Sequence, residues 1–184
     1  MSYAVLRFQV HHIFPREIFT PERLTQLEAL GIAEDMNGNK VALVEDAAVA
    51  TNFRDADQNA RNALHDAGWG FARHGGFHAE YNKFIGDRID LVLRSNYSDE
   101  AKRLAILDLH RFATEVSNGS ASLSSGVDVY SSEAALLQAF NSRQIDYANP
   151  SAAQVSAIET YASRLDTTLS DVESGNNYEA RNAL

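Results

Sequence analysis

The chain opens with a stretch dense in β-branched and aromatic side chains. Residues 3–14, YAVLRFQVHHIF, predict a strand that stops at Pro15. Thr20-Pro21-Glu22 then reads as a helix start, with Thr as cap, Pro at the first helical position and Glu near the positive end of the dipole. Leu24, Leu27, Ala29 and Leu30 supply its apolar face and Gly31 ends it. Met36-Asn37-Gly38-Asn39 carries turn chemistry, and Lys40-Val41-Ala42-Leu43-Val44 reads as a second short strand. Residues 54–67 predict one polar helix, broken by Gly68-Trp69-Gly70-Phe71, a turn expected to place its aromatics in the core. From about Phe77 to Arg94 the apolar residues Tyr81, Phe84, Ile85, Ile89 and Val92 recur at helical spacing. Further helices are expected over 98–116, with Ser98 as cap, over 132–140, and from Ser151, where Ser151 and Gln154 form a capping box. The Ser/Gly-rich residues 117–126 predict a flexible connection, 127–130 a short strand, and the tail after Gly175 a frayed end.

This order gives a mainly helical α+β fold, a small ββα core with additional packed helices. The expected division is a core over 1–96 and a helical extension over 97–184, the extension supplying surface that so small a core cannot bury alone. With 184 residues and 45 % hydrophobic side chains, a real core is available. No apolar run reaches the about 20 residues of a membrane helix, and the N-terminus lacks the basic-then-apolar plan of a secretory signal, so synthesis in the cytoplasm is expected. The chain has no cysteine, so any metal must be held by His, Asp, Glu or Asn.

Charge complicates the choice of ligand. The formal net charge is -9, which opposes a phosphate-rich partner. The excess is uneven: residues 1–111 hold 13 basic against 16 acidic side chains, while 112–184 hold 3 against 9. The acidic C-terminal third is therefore the part least suited to nucleic acid.

Six histidines are present, and four form two tight pairs, His11-His12 and His74/His78. Adjacent strand residues point to opposite faces, so one member of the first pair can face an ion. The second pair has i, i+4 spacing, which shares a helix face, although Gly75 and Gly76 favour His74 in a loop or first turn and His78 on the helix proper. Three imidazoles with open positions describe a catalytic metal site rather than a closed structural one. A fourth, neutral near pH 7, is free to act as a base. The chemistry implied is hydrolysis of a charged ester. His110, among Leu107, Leu109 and Phe112, reads as a packed or surface residue, and His65 as a helix-end residue. Arg16, Arg54, Arg61 and Arg73 are candidate phosphate contacts; Arg73 is favoured because it adjoins His74.

His11-His12-Ile13-Phe14-Pro15 resembles the HHIxP signature of the HNH/endonuclease VII (His-Me finger) superfamily. Asn37-Gly38-Asn39-Lys40-Val41-Ala42-Leu43 resembles its Asn-before-strand element, and His74-Gly75-Gly76-Phe77-His78-Ala79-Glu80-Tyr81-Asn82 its HxGxHxxYN signature. The order is similar to the AHH-type branch found largely as bacterial toxin domains, with Val10 where that branch usually has Ala, and the spacing is similar to that of colicin DNases. The resemblance spans roughly residues 5–95. It implies a nuclease that cleaves DNA, with RNA as the other possible substrate, using one divalent ion: Mg2+, Zn2+, Ni2+ or Mn2+. His11 and His78 would be metal ligands, His74 the third ligand or a phosphate contact, and His12 the general base. Asn39 would orient His12, with Asn37 as the competing choice. A toxin role would imply a cognate immunity protein and delivery to a target cell. Two other classes fit the acidic composition: a non-catalytic, metal-stapled interaction module, and a hydrolase of a different phosphoester.

Overall fold

The computed structural model describes residues 7–34, 36–75, 77–117 and 127–165. It is a mainly helical α+β fold whose one described sheet has three strands in the order β1-β2-β3. β1 (Phe8–His12) runs antiparallel to β2 (Lys40–Val44), pairing His11 with Val41 and His12 with Lys40. Between them lies α1 (Pro21–Ala29), where the Thr20 hydroxyl accepts from the Arg23 N–H and Pro21 sits at the start as expected. β3 (Trp69–Arg73) lies parallel to β2. The crossover joining them consists of α2 (Ala47–Asp55) and α3 (Gln58–Asp66), as a parallel pair requires.

The period-two alternation of β2 divides the core. Ala42 and Val44 join Ala50, Phe53, Trp69 and Phe71 in a cluster under α2. Val41 and Leu43 face the other way, into the larger cluster built on α4 (Ala79–Leu93) and α5 (Asp99–Ser117). α5 is buried on nearly all sides, so its sequence has no clean polar stripe. Its fully buried Asp108 accepts bonds from Arg143 (2.6 Å) and the Tyr147 hydroxyl (2.8 Å), which fastens the turn after α6 (Glu133–Asn141) to its flank. α7 (Ala152–Leu165) packs on α5 and reaches the Asn37–Asn39 turn. Its capping box forms as predicted: Gln154 Oε1 accepts from the Ser151 N–H at 2.9 Å, and Ser151 Oγ from the Gln154 N–H at 3.3 Å.

Four expectations are corrected. Trp69–Arg73 is a buried strand and not a turn. The single helix over 54–67 is two helices, because Asp57 caps a new start through the Asn59 and Ala60 N–H groups and α2 begins earlier, at Ala47. Residues 127–130 form a turn, with Asp128 Oδ1 accepting from the Tyr130 N–H at 2.8 Å. His78 is the N-cap of α4 and lies just outside the helix. The connection over 118–126 and the tail after Gly175 lie outside the described residues.

Candidate metal centre

His11 is placed by strand register. Directly opposed residues of an antiparallel pair share a face, so His11 points with Val41 toward α4, while His12 pairs with Lys40 at the strand end. His74 follows β3, and its N–H donates to the Val44 carbonyl at 2.8 Å, which extends the parallel pairing by one residue. The chain then loops through Gly75 to His78 at the head of α4. The three imidazoles therefore arrive from a strand, a loop and a helix cap, and not from one helix face. One ring nitrogen of each of His11, His74 and His78 lies within 4.8 Å of the others. Their ring centroids are 4.9–5.7 Å apart.

The donor atoms suit a cation. His11 Nε2, His74 Nδ1 and both ring nitrogens of His78 are buried and make no hydrogen bond to the described residues. Buried polar atoms left without a partner are costly. Burial, followed by the neighbouring imidazoles, lowers the His11 pKa to about 3. Burial likewise takes His78 to about 4 against the opposing pull of Asp128, and lowers His74. All three thus present neutral lone pairs near pH 7, the state a metal requires.

The surrounding residues hold the backbone of this centre. Asn39 is fully buried. Its Oδ1 accepts from the Phe14 N–H at 2.7 Å, and its Nδ2 donates to the Phe14 carbonyl at 3.1 Å and the Glu34 carbonyl at 3.0 Å. The Ile13 N–H donates to the Asn39 carbonyl at 2.8 Å. These bonds fix the chain immediately after His12, at Ile13 and Phe14. The Tyr81 hydroxyl donates to the Ile13 carbonyl at 2.5 Å, tying α4 to the same point. The Asn37 backbone lies in the same turn. Arg73 donates from Nε to the Glu45 carbonyl at 3.0 Å, and its guanidinium carbon is 3.7 Å from where a Cβ on Gly75 would sit. It therefore lies beside the His74–His78 loop. By contrast Arg54 and Arg61 bond within α2 and α3, and Arg16 pairs with Glu34. His65 lies in the last turn of α3.

Two connections were not legible in the sequence. His110 is fully buried, with Nε2 3.2 Å from Asn39 Oδ1 and Nδ1 2.6 Å from the Tyr161 hydroxyl. The Asn39 amide orientation is set by its other bonds, so Nε2 must carry the proton and the tyrosine must donate to Nδ1. Tyr130 stands 4.7 Å, ring to ring, from His78, and its hydroxyl accepts from the Gly75 N–H. Both contacts join residues far apart in sequence, and no local pattern announces them.

The family model of AHH, described as a nuclease family of the HNH/endonuclease VII superfamily with conserved AHH, matches residues 2–116. That segment holds all four site histidines, Asn39 and His110, and the chain belongs to this nuclease family. Val10 replaces the Ala of the family's triplet; it is 41 % exposed on β1, where the larger side chain displaces nothing in the core. Comparison with curated proteins and with solved structures finds no match.

Proposed function

We propose that this member of the AHH nuclease family is a metal-dependent endonuclease that hydrolyses phosphodiester bonds of DNA. The observation that carries the proposal is the convergence of His11, His74 and His78, whose neutral, buried nitrogens lack partners among the described residues. These three residues would hold one divalent cation. An all-imidazole donor set favours a borderline ion such as Zn2+ or Ni2+ over Mg2+ and Mn2+, which prefer oxygen. When bound, the cation supplies positive charge against the negative charge that develops on the phosphate and leaving oxygen.

The chain's own residues do the rest. His12, at the end of β1, accepts a proton from the attacking water. Asn39 and Tyr81 keep the His11–Phe14 backbone in place, so His11 and His12 cannot drift apart from α4. Arg73 contacts a phosphate oxygen and orients the diester. The water oxygen bonds to phosphorus, the bond to the leaving sugar oxygen breaks, and that oxygen takes up a proton.

The test is plasmid cleavage by wild type and His12→Ala across Mg2+, Mn2+, Ni2+ and Zn2+. Loss of a positioned base costs on the order of 100-fold or more. His12→Ala should therefore be reduced at least that much, and chelator should abolish wild-type cleavage. Unchanged cleavage by His12→Ala would exclude the base assignment. A toxin role is supported by the sequence resemblance to toxin domains. It predicts that expression inside a bacterium arrests growth and that His12→Ala relieves the arrest. A toxic His12→Ala would separate toxicity from catalysis. A toxin of this kind needs a cognate immunity protein in its producer, and a basic-faced partner suits the acidic chain.

A further inference from the structure

Four large apolar side chains are markedly exposed among the described residues: Val10, Phe77, Leu91 and Tyr130. Tyr130 contacts the histidine cluster, and Phe77 adjoins it in sequence. Phe77 is 76 % exposed and immediately precedes His78, and Tyr130 is 45 % exposed with its ring edge-on to His78 at 4.7 Å. Tyr130 is also fixed in place, because its hydroxyl takes the Gly75 N–H and a Cβ on Gly75 would lie 2.9 Å from it. A phenylalanine three-quarters in water beside a site of hydrolysis gains nothing for the fold.

We propose that Phe77 and Tyr130 form an aromatic rim that stacks on unpaired nucleobases flanking the scissile phosphate, so that the preferred substrate is single-stranded nucleic acid. The proposal rests on the phosphodiesterase reading above and specifies its substrate. Bases in a duplex keep their faces stacked on each other; an unpaired strand offers them to aromatic side chains. The charge distribution points the same way. Duplex binding relies on cations that track two phosphate backbones. Here Lys83, one turn into α4, is held by Asp87 and Glu133, and Arg16 by Glu34. Stacking supplies affinity that these engaged cations do not. Tyr130 lies beyond the family-matched segment, so this half of the rim belongs to the helical C-terminal part of the chain.

The experiment uses the metal-loaded full chain with three oligonucleotides of one sequence: single-stranded DNA, duplex DNA and single-stranded RNA. Single strands should be cleaved with kcat/KM at least about ten-fold above duplex, as one stacked base contributes on that order. Phe77→Ala, a surface change expected to leave the melting temperature unaltered, should raise KM for the single strand by on the order of ten-fold while kcat stays near wild type. Tyr130→Phe should retain the preference, and Phe77→Ala with Tyr130→Ala should abolish it. The RNA arm identifies the sugar. Equal cleavage of duplex and single strand by wild type, or an unchanged KM in Phe77→Ala, would overturn the rim while leaving the nuclease standing. If wild type cleaves none of the three with any metal, the phosphodiesterase reading fails instead. Binding of a fluorescent dT oligomer then decides the rim alone: Phe77-dependent binding upholds it, and Phe77-independent binding or none refutes it.

Discussion

The Asn39 carboxamide and the His110 imidazole form one unit against Phe14, two residues after His12, and the unit is built to stay neutral. Asn39 spends both donors on carbonyls, so its oxygen can only accept, and His110 must donate to it. Full burial holds the His110 pKa at about 3. An unfolded histidine titrates near 6.5. Between those values the unfolded chain binds a proton that the native chain refuses, so stability falls as pH drops through that window. From pH 7 to 5 the His110 share comes to about 2 kcal/mol. His11 and His78 are lowered in the same sense in the metal-free chain and steepen the fall. Denaturant unfolding in chelator at pH 7 and pH 5 should show the loss, and His110→Gln should lose about 2 kcal/mol less over the same interval. An equal loss in that variant would mean His110 titrates normally in the native state. The paired histidines and Asn39 were legible because their signatures are local. His110 read as mere packing because its partner Tyr161 comes from a helix 51 residues on.

Element by element, the strands and helices with uninterrupted periodicity were readable, and the errors fall where one residue type has two uses. Gly68-Trp69-Gly70 looks like a chain break. Yet Gly70 lies inside β3 because a Cβ there would come within 2.5–3.0 Å of Leu43, Val41 and the Ser117 carbonyl. The glycine is there for the close approach of α5, and not for a turn. Asp57 looks like one more polar helix residue and is instead the cap that divides α2 from α3. The i, i+4 spacing of His74 and His78 suggests a shared helix face, but the cap position of His78 means that a loop brings the rings together. Gly38 carries the same lesson for α7. A Cβ there would stand 2.9 Å from both the Cα and the carbonyl oxygen of Leu165, which are backbone atoms that cannot rotate away. Gly38→Ala must therefore push the end of α7 off the Asn37–Asn39 turn. Overpacking of this kind costs about 1–3 kcal/mol. Thermal unfolding should show a melting temperature lower by several degrees, and nuclease activity should fall with it because Asn39 is the next residue. A variant as stable as wild type would show that α7 does not seat on this turn in solution.

At the scale of the whole molecule, charge is where composition misleads. A net charge of -9 argues against a polyanion partner, with the excess in residues 112–184. The structure shows what several of those acids do. Glu115 pairs with Arg143, Glu133 with Lys83, and Glu159 with Arg103, each bond joining parts of the chain distant in sequence. Their charges pair α6 with α4, α7 with α5, and the turn after α6 with α5, and composition alone cannot distinguish that use from a repelling surface. The pairing has a converse: the cations so used are not offered to phosphates. Nucleic-acid binding by this chain should therefore depend weakly on salt. On the proposal that Arg73 and a few neighbours contact phosphates, Z is about 2–4, and the slope of log K against log[salt] for a single strand is about -0.7Z, or roughly -1.5 to -3. Titration of a fluorescent single-stranded oligomer into His12→Ala, from low to moderate NaCl, measures this slope without cleavage. A slope steeper than about -5 would require some seven phosphate contacts. That many would mean a broad cationic face, contrary to the pairing that the structure shows, and would remove the electrostatic half of the argument for stacking on Phe77 and Tyr130.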